Sequence, residues 1–311
     1  MNKEKNFVSA VIYVHNAEKK IEKFLGTVID VLEKNFENAE IICVNDSSSD
    51  ESVALIKKVS ASAKSTNISV VNMSYYHGLE AAMNAGMDLS IGDFVFEFDN
   101  PVPDFAEEEI MKVYRRSLEG YDIVGAVPDR KEKLGSRLFY SFFDKFTDSS
   151  YEMHTESFRI LSRRVINRIS SMNKTNPYRK AVYAKQGLKT DSVRYTPLKT
   201  ENVRRDKAEK NYRFGLAVDA LILFTDIGYR FSMVMTALMM FMSVFMVIYS
   251  IVIFAMANPV AGWTTTILFL SVAFFGLFGI LTIIIKYLQL LVNLVFKRKH
   301  YSFEGIEKLT K

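Results

Sequence analysis

Two carboxylates in the N-terminal half of the chain follow apolar segments. Asp46 comes two positions after Glu40–Val44, and Asp99 directly follows Asp93–Phe98. β-Branched and aromatic residues dominate these segments, which predicts buried strands. Because ligands of open parallel sheets bind at the carboxyl ends of the strands, we expect both carboxylates at a ligand-binding edge. The alternative for Asp46 is that it only caps the following helix together with Asp50.

The segment between residues 130 and 213 is basic and interleaved with aromatic side chains. Arginine presents a planar fork of N–H donors to a phosphate, and lysine presents a point charge. The segment therefore favours binding of an anionic ligand. For each single arginine, the alternative is a solvated surface charge.

Strand and helix patterns alternate along the first 130 residues. The predicted strands are Val8–Val14, Glu40–Val44, Ile68–Val71, Asp93–Phe98 and Tyr121–Val127. Amphipathic helical segments separate them. Continuous apolar strands that alternate with helices predict an α/β fold with a mainly parallel sheet covered on both faces.

Two uncharged apolar stretches lie further along the chain, Ser232–Ala257 and Thr264–Ile285. A bilayer core of ~30 Å is crossed by about 20 apolar helical residues. The stretches therefore predict a transmembrane hairpin with helices at 232–257 and 264–290. The preceding segment, 212–231, is amphipathic and predicts a helix at the membrane interface.

These patterns divide the 311 residues into a domain over 1–211, the interfacial helix, the hairpin within 232–296 and a basic tail over 297–311. Lysines and arginines flank the pair of apolar stretches, and the connector between the stretches is uncharged. The positive-inside rule then predicts that the domain and both termini are cytoplasmic. The single cysteine, Cys43, excludes an internal disulfide.

Four short motifs occur in order along the predicted domain. They are VSAVIYVHN at 8–16, EIICVNDSSSD at 40–50, GLEAAMNAG at 78–86 and GDFVFEFD at 92–99. Together they resemble the family 2 glycosyltransferases of GT-A fold. SRLFY at 136–140, FRIL at 158–161 and the apolar hairpin resemble the polyprenyl-phosphate branch of that family, which includes dolichyl-phosphate mannose synthase and bacterial undecaprenyl-phosphate glucosyltransferases.

The resemblance implies an inverting transfer of a sugar from a nucleotide-sugar donor to a polyprenyl phosphate. It also implies a bacterial plasma membrane location, a role in envelope glycan synthesis, homo-oligomers and no nucleic acid partner. It assigns donor binding to Tyr13, Asn16, Asp46, Asn84 and Asp99. It assigns phosphate or acceptor binding to Arg137, Arg159 and Arg179, and catalysis to Asp99, Arg137 and Arg159.

Asp99 departs from the Asp-x-Asp motif of the family, because Asn100 and Pro101 follow it. One carboxylate of that motif helps to hold Mg²⁺ or Mn²⁺ against the donor diphosphate, and hard cations prefer oxygen ligands. The resemblance therefore implies a metal site at Asp99, helped by Asp104 or Glu97. Stabilisation of the leaving group by arginine and lysine is the alternative.

A second departure precedes Phe158, where His154 and Ser157 replace two aspartates of the family pattern. A phosphate monoester needs little help from a general base, because its second pKa is about 6. The missing aspartates therefore favour a phosphate acceptor over a hydroxyl of a lipid-linked glycan, which needs a base. A third possibility is a catalytically degenerate subunit that only binds nucleotide sugar.

Overall fold

The chain divides into two units in the computed structural model. One unit combines Met1–Leu216 with Arg298–Lys311, and the other is Ala217–Lys297. The residues that the structure describes are 3–130, 154–171, 178–185, 187–198 and 302–310, with scattered helical positions between 215 and 291.

The first unit contains eight strands and six helices among its described residues. The strands are β1 (Val8–Val14), β2 (Ala39–Asn45), β3 (Asn67–Met73), β4 (Phe94–Phe98), β5 (Ile123–Pro128), β6 (Phe158–Ser162), β7 (Thr190–Tyr195) and β8 (Phe303–Lys308). The helices are α1 (Glu18–Asn35), α2 (Ser52–Ser60), α3 (Leu79–Leu89), α4 (Glu107–Leu118), α5 (Arg163–Ser171) and α6 (Arg179–Lys185).

The eight strands form one sheet in the order β7-β5-β6-β4-β1-β2-β3-β8. The group β4-β1-β2-β3 and the pair β5-β7 are parallel, whereas β6 and β8 run antiparallel to their neighbours. The predicted α/β class with a mainly parallel sheet is therefore confirmed. Because β4 and β1 are neighbours at the centre, residues that follow them lie near the middle of the carboxyl edge.

Helices cover both faces of the sheet. On one face, Phe24 of α1 meets Phe98 with ring centroids 5.3 Å apart, and Phe36 meets Tyr114 of α4 at 4.8 Å. On the other face, α3 packs across β1 and β2. Burial on both faces explains why the strands read as continuous apolar runs rather than as alternating ones.

Gly86 allows α3 to pack closely on the sheet. A β-carbon at this position would meet the side chain of Val11 and would lie 2.7 Å from Cγ2 of Val44. Gly86→Ala is therefore expected to lower the free energy of unfolding by about 1–3 kcal/mol through overpacking, although alanine is the better helix former.

Gly26→Ala in α1 is the matched control for this prediction. A β-carbon at Gly26 meets nothing within 4 Å. This substitution is expected to raise the free energy of unfolding by about 0.5–1 kcal/mol. Urea denaturation followed by circular dichroism measures both variants, and an equal gain in stability for both would contradict the packing role of Gly86.

Three strands are missing from the sequence predictions. β6 carries Arg159 within a short run, and β7 lacks a continuous apolar pattern. β8 lies in the segment 297–311 that the sequence predicts as a basic tail, so residues 303–308 belong to the sheet instead. Most side chains of β8 are exposed, which is typical of a charged edge strand.

The second unit is described at separate positions, all of them helical. The side chain of Met239, in the first apolar stretch, lies against Gly276 in the second, where a β-carbon would be 3.1 Å from Sδ of Met239. Among the described residues, no helix combines the length and the apolar character that crossing a bilayer requires. The hairpin and the interfacial helix at 212–231 stay predictions.

Candidate active site

Asp99 lies at the carboxyl end of β4, near the middle of the sheet. Its two carboxylate oxygens accept hydrogen bonds from two guanidinium groups. Oδ1 lies 2.5 Å from Nη2 of Arg179, and Oδ2 lies 2.7 Å from Nη2 of Arg159. The side chain of Asp99 keeps 21% of its surface exposed. Asp99 is thus fixed from the protein side while part of its carboxylate reaches solvent.

Arg159 reaches Asp99 because β6 pairs with β4. The antiparallel register places Arg159 opposite Glu97, and opposed residues point to the same face of a sheet. The guanidinium is buried, and it also donates from Nη1 to Oε2 of Glu97 at 2.7 Å and from Nε to Oε2 of Glu156 at 2.8 Å. One arginine therefore binds three carboxylates.

Arg179 is the first residue of α6 and is also buried. Its backbone N–H donates to Oε2 of Glu80 on α3 at 3.0 Å. Its Nε lies 3.3 Å from Oε1 of Glu97, within ion-pair range but without hydrogen-bond geometry. The hydroxyl of Tyr183 donates to that same Glu97 oxygen at 2.8 Å. These contacts fix α6 against the ends of α3 and β4.

We call this group of ionisable side chains the buried charge cluster. Its members are Glu80, Glu97, Asp99, Glu156, Arg159, Arg179 and Lys180, whose Nζ lies 3.2 Å from Oε2 of Glu156. Proteins tolerate buried charges when opposite charges pair them. With every member ionised, the four acids and three bases leave one excess negative charge.

Protonation in the cluster follows from burial and pairing. Burial alone would raise the pKa of Asp99, but Arg159 and Arg179 outweigh burial and hold this pKa below its usual range. Asp99 is therefore ionised at neutral pH. Burial raises the pKa of Glu80, although Arg179 opposes the shift. Protonation of Glu80 would leave the cluster neutral.

Asp99 retains the capacity to bind a divalent cation. Each of its oxygens has one N–H contact with an arginine, and a carboxylate oxygen has two lone pairs. Mg²⁺ in nucleotide sites uses one or two carboxylates together with substrate phosphates. The described residues contain no group of three His, Cys, Asp or Glu side chains that could hold a metal ion. Among the described residues, Asp99 could hold such a cation together with phosphates of a ligand.

Asp104, the second predicted metal ligand, has other hydrogen-bond partners than Asp99. Its Oδ1 accepts a hydrogen bond from the hydroxyl of Tyr195 at 3.1 Å. Its Oδ2 accepts one from the hydroxyl of Ser157 at 3.2 Å and lies 3.4 Å from Nη1 of Arg130. The contacts of Asp104 and Asp99 thus involve different residues, and the predicted metal-binding role of Asp104 stays a prediction.

Asp46 lies at the end of β2 and is fully buried. Its carboxylate accepts hydrogen bonds from the backbone N–H groups of His77 and Gly78, both at 2.8 Å, and from the hydroxyl of Tyr13 at 3.0 Å. Burial raises the pKa of Tyr13, and the charge of Asp46 adds to the shift. Asp46 therefore fixes the chain before α3, and its predicted role in donor binding stays a prediction.

The Asn16 loop lies beside Asp46 at the same edge. Asn16 is exposed, adopts a left-handed conformation with φ 46°, and accepts a hydrogen bond from Ser49 N at 2.9 Å. The capping alternative applies to Asp50, which accepts hydrogen bonds from Ser52 N at 3.1 Å and from Glu18 N at 3.0 Å. Asp46 makes neither contact, because its oxygens face the backbone N–H groups of His77 and Gly78.

The structure thus brings Asp99 together with Arg159 and Arg179, and Tyr13 together with Asp46. Asn84 lies half-buried on α3, and Gly86 in the same motif serves packing. Arg137 lies outside the described residues. The roles of all these predicted site residues in binding and catalysis stay predictions at this point.

Sequence reasoning missed the acidic partners of the two arginines. The signal was available at Glu97, because a single charge within the buried strand FVFEF requires a partner of opposite charge. Glu80 gives a similar but weaker signal at the start of α3. Neither pattern identifies which arginine is the partner.

Residues 9–170 match the family model described as glycosyl transferase family 2. The match covers more than half of the chain. The chain belongs to glycosyl transferase family 2. Its mainly parallel sheet is that of the GT-A fold, as the four motifs indicate.

Two curated relatives of this family 2 chain differ in how much of the chain they cover. The uncharacterized glycosyltransferase YkcC of Bacillus subtilis is 26% identical over 193 residues, which are 60% of this chain and 59% of that protein. The chain thus aligns with less than two thirds of that relative. The bactoprenol glucosyl transferase of Shigella phage SfX is 26% identical over 282 residues, which are 86% of this chain and 88% of that protein.

A solved structure agrees with the fold. The mannosyltransferase PcManGT from Pyrobaculum calidifontis, in complex with GDP-Man and Mn²⁺, superposes with a TM-score of 0.51 at 13% identity. The superposition covers 70% of this family 2 chain and 63% of the mannosyltransferase chain. At this identity the likeness establishes the fold alone.

Proposed function

We propose that this glycosyltransferase moves a sugar from a nucleotide-sugar donor to a polyprenyl phosphate at a membrane surface, with inversion at the anomeric carbon. The proposal is carried by Asp99, which is ionised, partly exposed and fixed by two buried guanidiniums at the middle of the carboxyl edge. The similarity to the phage enzyme named for bactoprenol supports a polyprenyl acceptor.

We propose that positive charge for the donor diphosphate comes from outside the buried charge cluster. Arg159 and Arg179 are buried and already paired with carboxylates, so their effect on the donor is exerted through Asp99. Mg²⁺ or Mn²⁺ held by Asp99 and the donor phosphates would neutralise charge on the leaving nucleoside diphosphate. Direct contact with a phosphate is assigned to Arg137 in the basic segment.

The proposed reaction needs no general base from the protein. An oxygen of the acceptor phosphate forms a bond to the anomeric carbon, and the bond from that carbon to the donor diphosphate breaks. Since the acceptor attacks from the opposite face, the configuration inverts. The acceptor phosphate is already anionic, because its second pKa is about 6.

His154 and Ser157, which replace two aspartates of the family pattern, are consistent with a transfer that needs no general base. Ser157 donates its hydroxyl to Asp104, and its Oγ lies 2.6 Å from the hydroxyl oxygen of Tyr195. The carbonyl oxygen of His154 accepts one from Nζ of Lys180 at 3.1 Å. The Ser157 hydroxyl thus has structural partners. The proposed transfer needs no general base at position 154 or 157.

The membrane part of the proposal rests on the apolar stretches. We propose that 232–257 and 264–290 cross a bacterial plasma membrane as a hairpin, with 212–231 at its surface and the GT-A unit in the cytoplasm. The contact of Met239 with Gly276 supports a pairing of the two stretches. The hairpin would raise the local concentration of a lipid acceptor. A homo-oligomer is part of this proposal.

The decisive experiment uses the full chain in nanodiscs. Labelled UDP-, GDP- and dTDP-sugars are supplied with polyprenyl phosphate, with and without Mn²⁺. Label that becomes extractable with lipid is the expected result, and dephosphorylated polyprenol is the matched acceptor control. Donor binding without turnover across all sugars and metals would contradict the proposal and indicate a subunit that only binds nucleotide sugar.

A further inference from the structure

The chain between β3 and α3 lies beside the predicted donor residues. We call Ser74–Gly78 the donor-edge loop. Asp46 holds one end of it, through the backbone N–H groups of His77 and Gly78. The same carboxylate accepts from Tyr13, so the loop is tied to the carboxyl edge of the central strands.

The C-terminal strand holds the other side of the donor-edge loop. Ser302, just before β8, accepts a hydrogen bond from Ser74 N at 3.1 Å, and its own N–H donates to Nε2 of His77 at 3.1 Å. The register of β3 with β8 shifts between Asn72 and Met73, directly before the loop. Irregularities of this kind often re-aim the residues that follow.

His77 links these contacts to the exposed ring of Tyr75, which precedes Tyr76 in the loop. Its Nδ1 lies 2.5 Å from the carbonyl oxygen of Tyr75, so Nδ1–H donates there and Nε2 is free to accept from Ser302. The imidazole stacks on Tyr75 with ring centroids 3.9 Å apart, and His15 lies 4.7 Å from the ring of Tyr76. Tyr75 is 61% exposed and Tyr76 is 43% exposed.

We propose that Ser302 and His77 are positioning residues for donor binding. The backbone N–H of Ser302 fixes the imidazole, and the imidazole fixes the ring of Tyr75, next to Tyr76 in the donor-edge loop. Aromatic faces of this kind stack on nucleobases. The strand that follows the apolar stretches thus controls donor affinity from outside the site. This inference rests on the proposed function, since the ligand in question is the nucleotide sugar.

Ser302→Pro tests the inference, because proline removes the N–H that donates to His77. The matched control is Ser302→Ala, which keeps that N–H. We expect the proline variant to raise the donor KM by about three- to tenfold, the effect of one lost hydrogen bond, with kcat at saturating donor unchanged. The alanine variant should match the wild type in both constants. Unchanged donor KM in folded Ser302→Pro would overturn the inference.

A second variant covers the case in which the proline prevents folding. His77→Phe keeps a flat ring for Tyr75 but cannot accept from Ser302. It is expected to shift donor KM in the same direction with the thermal midpoint preserved. A fall in kcat and thermal midpoint without a change in donor KM would instead indicate a purely structural contact and contradict the positioning role.

Hydrogen exchange separates failure of this inference from failure of the proposed function. Without any ligand, the amides of Ser74–Gly78 should exchange faster in Ser302→Pro than in Ser302→Ala. Equal exchange overturns the link between β8 and the loop. If exchange differs but the wild type binds no UDP-, GDP- or dTDP-sugar, the link stands and the proposed function fails.

Discussion

Asp99→Asn is expected to lower sugar transfer by about 100-fold or more, because the amide loses the charge that would hold a cation against the leaving diphosphate. The amide has nearly the same shape as the carboxylate, so the loss reports charge rather than volume. The measurement is the rate of transfer of labelled sugar to polyprenyl phosphate at saturating donor. The matched control is Asp30→Asn, which removes a carboxylate from an exposed position of α1. Full turnover by Asp99→Asn would rule out its assigned role.

The same variant should change the dependence of stability on pH. In the folded protein the pKa of Asp99 lies below its usual range, whereas in the unfolded chain it is about 3.9. The stabilisation from its pairing is therefore present above pH about 4 and is lost as the pH falls further, through the folded pKa. Urea titrations at pH 7 and at pH 3 should show a smaller acid-induced loss for Asp99→Asn than for the wild type. An identical loss would contradict the pairing of Asp99 with the arginines.

Arg159→Met is expected to lower the free energy of unfolding by about 3–5 kcal/mol, because it leaves buried carboxylates without their counter-charge. Glu97 and Glu156 would each lose a guanidinium contact shorter than 3 Å. Urea denaturation at neutral pH measures the effect. The matched control is Arg168→Met on α5, where the side chain is exposed and a change within about 0.5 kcal/mol is expected.

The double variant Arg159→Met with Glu97→Met sharpens this test. Replacing a buried ion pair by apolar side chains often costs little, whereas removal of one partner is strongly destabilising. The double variant should therefore recover part of the stability that Arg159→Met loses. If the double variant instead lost as much stability as the two single variants combined, the Arg159–Glu97 contact would be energetically unimportant.

The sequence was sufficient for the central strands and insufficient for the strands that complete the sheet. β1, β2 and β4 are mostly apolar runs buried on both faces, and such runs are recognisable without tertiary information. β6 carries a buried arginine, and the carboxylates that pair with this charge lie outside β6. β8 is short, charged and exposed, so its strand state depends on pairing with β3.

The candidate site was predictable to a similar extent. Its location followed from the strand that precedes Asp99, and Arg159 was selected through its motif. The partnership of Arg159 with Glu97 joins residues 62 positions apart and depends on the register of β6, which the sequence pattern does not reveal. For Asp46, the sequence could not show that backbone N–H groups 31 and 32 positions later occupy its carboxylate.

The pairing of β3 with β8 has a consequence for biosynthesis. Ile68 and Thr310 are hydrogen-bonded although 242 positions separate them, and both apolar stretches lie between them. On a translating ribosome, the edge of this sheet stays open until the intervening apolar chain has emerged. An uncovered strand edge is a template for unwanted association with other chains. The order of synthesis therefore gives β3 an interval of exposure that ends only when β8 arrives.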